Sequence, residues 1–104
     1  MKIIIAGSGE VGTHLAKLLS REEQDITVVD SDSDKLAMLD ANYNLLTCQG
    51  STTSFKALRQ AGVEGCDLFI AVTPYEAQNV VSCAMAKSLG AEKTVARIDN
   101  YEFK

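Results

Sequence analysis

Nowhere in this chain do apolar residues run on for the ~20 positions that a membrane-spanning helix needs, so a role at a membrane has to be peripheral. The opening Met1-Lys2-Ile3-Ile4-Ile5-Ala6 has the outline of a signal peptide. Its apolar run is too short, however, and it leads straight into a glycine loop, so it reads as a strand. Lysine and arginine form no cluster, and the net charge is −4, which excludes a phosphate-backbone partner such as DNA or RNA. The three cysteines, Cys48, Cys66 and Cys83, contain no C-x-x-C pair. Their odd number and spacing suit a reducing cytosol and read as small core residues rather than as metal ligands or a redox pair. The single histidine, His14, has no acid or cysteine placed to partner it and reads as a surface or packing residue. There is no repeat, low-complexity tract or linker. With 104 residues, 46% of them hydrophobic, the chain is expected to fold as one globular domain, residues 1–104.

What is present is concentrated between Ile3 and Asp30. A short apolar strand, Ile3-Ile4-Ile5-Ala6, runs into Gly7-Ser8-Gly9-Glu10-Val11-Gly12, an amphipathic helix follows, and a second strand, Ile26-Thr27-Val28-Val29, ends on Asp30. Each part has a physical task in holding a dinucleotide. Gly7 turns the chain sharply off the strand, Gly9 lets backbone N–H groups approach a pyrophosphate, and Gly12 lets the helix pack close to the sheet. The first helical turn offers unpaired N–H groups and a positive dipole end to phosphates. Asp30 lies 18 residues past Gly12, where an acid accepts hydrogen bonds from the adenosine ribose. A carboxylate there repels the extra phosphate of NADP, and no arginine follows within the next few residues, so NAD(H) or an adenine nucleotide is favoured.

Strand and helix alternate along the rest of the chain. Helix A is predicted over Glu10 to Ser20, with Val11, Leu15, Leu18 and Leu19 on one face. Ser31-Asp32-Ser33-Asp34 supplies cap candidates for helix B, which turns Leu36 and Leu39 inward. Strand 3 is placed at Leu45 to Cys48, and helix C turns Phe55 and Leu58 inward and ends at Gly62. Strand 4 covers Leu68 to Val72. Helix D covers about Tyr75 to Leu89, with Val80, Val81, Ala84 and Leu89 toward the sheet and Gly90 behind it, and strand 5 is Thr94 to Ala96. Apolar strands between amphipathic helices predict an α/β fold, a Rossmann-type doubly wound parallel sheet in the order 3-2-1-4-5 with helices on both faces. A full domain of this kind usually has a sixth strand, so the chain is expected to be part of a longer protein.

Ligands in such sheets bind beyond the carboxyl ends of the strands, at the switch point. That rule selects the glycine loop, Asp30 and Ser31, Gln49-Gly50-Ser51, Thr73-Pro74 and Arg97. Asp32 either helps position an adenosine or caps helix B. Gly50 and Ser51 either touch adenine or form an ordinary loop. Glu76 and Asn79, on the first turns of helix D, look toward the same space, although an acid at a helix start is favourable in itself. Arg97 has two readings, pairing with a phosphate or with an acid such as Glu76. Glu10 either disfavours a nucleoside triphosphate or simply strengthens the helix start.

Taken together, these segments resemble a known family. The run from Met1 to Gly12, Asp25-Ile26-Thr27-Val28-Val29-Asp30, Gln49-Gly50-Ser51, Leu58-Arg59-Gln60-Ala61-Gly62-Val63, Ala71-Val72-Thr73-Pro74 with Glu76 and Asn79, and Val95-Ala96-Arg97-Ile98 are similar to the N-terminal domain of TrkA proteins, in the KTN/RCK family. The resemblance implies a regulatory domain and no enzyme: a cytoplasmic, peripheral subunit at the inner face of the cell membrane that binds NAD(H), or ADP or ATP. It implies a homodimer or higher ring that gates a TrkH-type membrane potassium transporter. By motif match, Gly7, Gly9 and Gly12 would hold the pyrophosphate and Asp30 the ribose, and Ser8, Glu10 and Val11 would line the loop. Gly50 and Ser51 would face the adenine side and Thr73 the nicotinamide or phosphate side, while Arg97 would lie near phosphates or a subunit contact. Where this chain has Glu10 some relatives carry a basic residue, which counts against a triphosphate. The alternative is the cofactor domain of an NAD-dependent oxidoreductase. The sequence offers little for it, since Tyr75 is followed four residues later by Asn79 rather than lysine.

Overall fold

In a computed structural model that describes residues 1–98, nine elements alternate along the chain. They are β1 (Lys2–Ala6), α1 (Glu10–Ser20), β2 (Asp25–Asp30), α2 (Ser33–Asn42), β3 (Leu46–Gln49), α3 (Phe55–Ala61), β4 (Leu68–Ala71), α4 (Glu76–Leu89) and β5 (Lys93–Ala96). The last six positions of the expected domain, 99–104, lie outside the described residues.

All five strands are parallel, in the order β3-β2-β1-β4-β5. Ala6, the last residue of β1, pairs with Val29 on one side and Ala71 on the other. Because side chains alternate across a strand, β1 serves both faces of the sheet. Ile3 and Ile5 enter a core with Ala16, Leu36 and Leu39 of α1 and α2. Ile4 and Ala6 enter a second core with Leu58, Phe69, Cys83 and Ala86, beneath α3 and α4. The direction of winding reverses between β1 and β4, and the loops at their carboxyl ends diverge there to leave a crevice.

The helix starts explain much of the local structure. Asp32, rather than Ser31 or Ser33, caps α2, its carboxylate accepting from the N–H groups of Asp34 and Lys35 at 3.0 and 3.2 Å. Ser54 caps α3 through the N–H of Ala57 at 3.2 Å. Gly62 and Gly90 end α3 and α4 in the left-handed conformation.

Several inward faces differ from the sequence reading. On α4, Val80 and Val81 are 45% and 47% exposed and Ala84 is exposed as well, whereas Asn79, Ser82, Cys83 and Ala86 are buried. Small side chains let this helix approach the sheet closely, and hydrogen bonds satisfy the buried polar ones; Ser82 Oγ donates to the Asn79 carbonyl at 3.2 Å. On α1, Val11 and Leu18 are exposed, and Gly12 and Ala16 take the buried positions. Phe55 opens α3 with its ring outward, under the Arg59 guanidinium at 5.9 Å. β3 is shifted one residue on, Leu46 to Gln49, which leaves Cys48 half-buried while Cys66 and Cys83 are buried.

Candidate functional site

The crevice opens above the carboxyl ends of β1, β2 and β4. It has a volume of about 360 Å3 and is lined by Gly7, Ser8, Gly9, Asp30, Ser31, Lys35, Ser51, Thr52, Thr73, Pro74, Tyr75 and Gln78. Eight of these, Gly7, Ser8, Gly9, Asp30, Ser31, Ser51, Thr73 and Pro74, were selected from the sequence.

Backbone contact dictates the shape of the glycine loop. Gly7 adopts φ +114°, a conformation L side chains rarely take, and a Cβ there would meet Thr73 N at 3.0 Å. A Cβ on Gly12 would overlap the Gly7 carbonyl oxygen, so α1 rests directly on the loop that precedes it. Gly9 is the N-cap of α1 and supplies no side-chain acceptor, and α4 likewise begins at Tyr75 without a side-chain cap. α2 and α3, by contrast, are capped. The uncapped starts of α1 and α4 lie beside the crevice, and each offers N–H groups and a positive dipole end to an anion lodged there.

Asp30 stands at the end of β2 and is tied to this loop. Its Oδ2 accepts from both the N–H and the hydroxyl of Ser8, at 2.7 Å each, and its Oδ1 accepts from the N–H of Asp32 at 2.8 Å. Burial alone would push this carboxyl up. The N–H of Asp32, the hydroxyl and N–H of Ser8 and the positive charge of Lys35 together outweigh burial and hold it below its ordinary value. Asp30 is therefore a fixed anion that still has acceptor capacity on Oδ1.

Nine sequence candidates, Asp32, Gln49 and Glu76 among them, do not line the crevice. Val11 is exposed on α1, and Gly12 is occupied in helix packing. Gly50 serves close approach instead: a Cβ there would stand 2.6 Å from Ala57 Cβ. Asn79 is completely buried and hydrogen-bonded within the protein. Arg97 follows β5, its N–H donating to the Ala71 carbonyl at 2.9 Å. Glu10 lines an adjoining groove of about 530 Å3 between α1 and α2, with Thr13, His14, Lys17 and Met38, and Ser8, Gly9 and Lys35 border both spaces. This groove is larger, but only the crevice gathers residues from the carboxyl ends of β1, β2 and β4 together, Gly7, Asp30 and Thr73 among them, so the crevice is the better ligand site. The sequence reading missed Lys35, Thr52, Tyr75 and Gln78. Lys35 follows Asp30 by five residues, in the first turn of α2, where a lysine serves as a cation as an arginine would. Tyr75 and Gln78 depend on where α4 begins.

The parallel order, the switch point and the glycine loop define a Rossmann-type domain. Among solved structures, the NAD(P)-binding domain of an exopolyphosphatase-related protein from Archaeoglobus fulgidus shares this fold. Its TM-score is 0.85 at 18% identity, covering 98% of this chain and 76% of that one. The Kef C-terminal domain from Shewanella denitrificans, in an AMP-bound form, matches at 0.76 and 19%, covering 91% and 57%. The sequence model of the TrkA-N domain matches residues 3–104. The Trk system potassium uptake protein TrkA of Haemophilus influenzae is 46% identical over 104 residues, 99% of this chain. The chain belongs to the TrkA-N family. It spans 23% of the length of that relative.

Proposed function

We propose that residues 1–104 form the NAD(H)-binding regulatory domain of a Trk-type potassium-uptake system, as one part of a longer protein. The supporting observation is the pairing of Asp30 with the Gly7–Gly9 loop. A carboxylate fixed by Ser8 and Asp32 stands beside an uncapped helix start, so one edge of the crevice offers an acceptor for a ribose and the next offers N–H donors for phosphates. NAD(H) suits this arrangement better than NADP, whose added phosphate would meet Asp30. ADP or ATP shares the adenosine and phosphates and is the nearest competitor. Gly7, Ser8, Gly9, Asp30, Ser31, Ser51, Thr73 and Pro74 are the contacts of choice, with Lys35 and Gln78 added from the structure.

In this reading the domain works in the cytoplasm, as a homodimer or higher ring, at the inner face of the membrane against a TrkH-type potassium transporter. Among the described residues no helix is long and apolar enough to cross a membrane. The ligand would shift the assembly only by its difference in affinity for two states. The oxidoreductase alternative has less to support it. His14 lies in the α1–α2 groove, and Asp30 is already engaged by Ser8 and Asp32.

The test is calorimetric titration of the full chain with NADH, NAD+, ADP and ATP. Asp30→Ala should weaken NADH binding about tenfold or more, the scale of hydrogen bonds to a charged group. Undiminished binding by this variant removes the ribose assignment. Turnover of NADH with small carbonyl substrates would favour the enzyme.

A further inference from the structure

Asn79 lies in the second turn of α4 and is completely buried, yet every hydrogen-bonding position of its side chain is used. Its Oδ1 accepts from the Thr73 N–H at 2.9 Å and from the Thr73 hydroxyl at 2.7 Å. Its Nδ2 donates to the Thr73 carbonyl at 2.9 Å and to the Arg97 carbonyl at 3.0 Å. A primary amide offers two donors and an oxygen with two lone pairs, so nothing remains for a ligand. Asn79 clamps two separate pieces of backbone. Thr73 forms part of the crevice wall, and Arg97 directly follows β5, the last strand described.

The wall is confined from the opposite side too. Gly7 packs so closely on Thr73 that a Cβ at position 7 would stand 3.0 Å from its nitrogen. A ligand entering between the glycine loop and Thr73 therefore presses on backbone whose polar groups are held by Asn79, and the same amide holds Arg97. Buried polar networks of this kind resist partial disruption, because any group left unpaired carries its full desolvation cost.

We propose that Asn79 is a positioning residue that links Thr73 to Arg97, so that a nucleotide seated against Thr73 sets the position of Arg97 and Ile98 after β5. This deepens the nucleotide reading above and rests on it. No contact between Asn79 and the ligand is required.

The experiment follows the 15N-labelled full chain by NMR as NADH is added. In the wild type, the Asn79 side-chain NH2 signals and the Ile98 backbone N–H should shift along the same binding curve as the Thr73 N–H. Asn79→Asp keeps the shape but sets a carboxylate against two carbonyl oxygens. At about pH 8 the Thr73 signal should still respond while the Ile98 response is lost, and at about pH 5 a carboxyl that burial has pushed above its ordinary value should be protonated and partly restore it. A purely structural asparagine would lower stability without separating the two responses. Equal Ile98 responses in wild type and variant overturn the proposal. If Asn79→Asp does not fold, the wild-type titration decides alone: a silent Ile98 beside a shifting Thr73 overturns the link. If neither calorimetry nor the Gly7–Gly9 signals respond to NADH, the nucleotide reading itself fails, and the link fails with it.

Discussion

Ser8 donates twice to a single oxygen of Asp30, from its backbone N–H and from its hydroxyl, at 2.7 Å each. The carboxylate that would receive a ribose is thus already half-engaged in the free protein. A ribose diol that engages both carboxylate oxygens has to displace the Ser8 hydroxyl. Ser8→Ala is expected to cost about 1.5–3 kcal/mol of stability, the worth of a hydrogen bond to a charged group, and to tighten NADH binding several-fold. Urea unfolding and calorimetry of the same preparation check both halves. Weaker binding would mean that the hydroxyl itself serves the ligand.

The Asp30 carboxyl also ties stability to pH. Its folded pKa lies below the unfolded value of 3.8, so its contribution is fully present above that value and is lost as pH falls through the lower, folded one. The stability difference between wild type and Asp30→Asn should hold steady from neutral pH down to mildly acid conditions and shrink below 3.8. Urea midpoints across an acid series measure it, and a difference independent of pH would contradict the hydrogen-bonded anion.

Gly12 has no room for a methyl group, because a Cβ would collide with the Gly7 carbonyl. Gly12→Ala should lower stability by about 1–3 kcal/mol, as overpacking does, and weaken NADH binding as the loop shifts. A variant with unchanged midpoint and affinity would show that α1 can lift without consequence.

Lys35 lines the crevice, and its charge acts on Asp30. It is exposed, so its attraction for a bound phosphate should be open to screening. Lys35→Ala should weaken NADH binding at low salt, and the gap between wild type and variant should close at about 0.5 M salt, where the Debye length is only a few ångströms. A gap that persists at high salt would point to a direct, desolvated contact.

The cysteine thiols should differ in reactivity. Burial pushes the Cys66 and Cys83 thiols up, and Cys48 also lies above its ordinary value but is half-buried. A maleimide reagent at neutral pH should label Cys48 first and the other two only on unfolding, as mass spectrometry of the labelled peptides would show.

The strand order and the glycine loop were legible because their signals are local. Gly7, Gly12 and Asp30 stand at fixed distances set by one β-α-β unit, and the apolar runs of β1 and β2 mark strands buried on both faces. The inward face of α4 was not legible. Val80, Val81 and Ala84 look like a core stripe, yet the helix turns Asn79 and Ser82 inward because their polar groups find partners there. One of those partners, Arg97, lies 18 residues farther along the chain, and no helical period reports it. Asn79, read from the sequence as looking toward the crevice, is instead buried with its side chain bonded to Thr73 and Arg97. Gly50 misled for a similar reason, since the need for a glycine there comes from Ala57 across the loop.

Main chain lies on main chain where Gly12 meets Gly7, with no side chain between them to act as a cushion. The height of the first helix above the sheet is thereby set by peptide groups alone, and rotamer changes cannot adjust it. The floor of the cleft is therefore backbone stacked on backbone, and because Gly7 also packs on the Thr73 main chain, both lips share that footing.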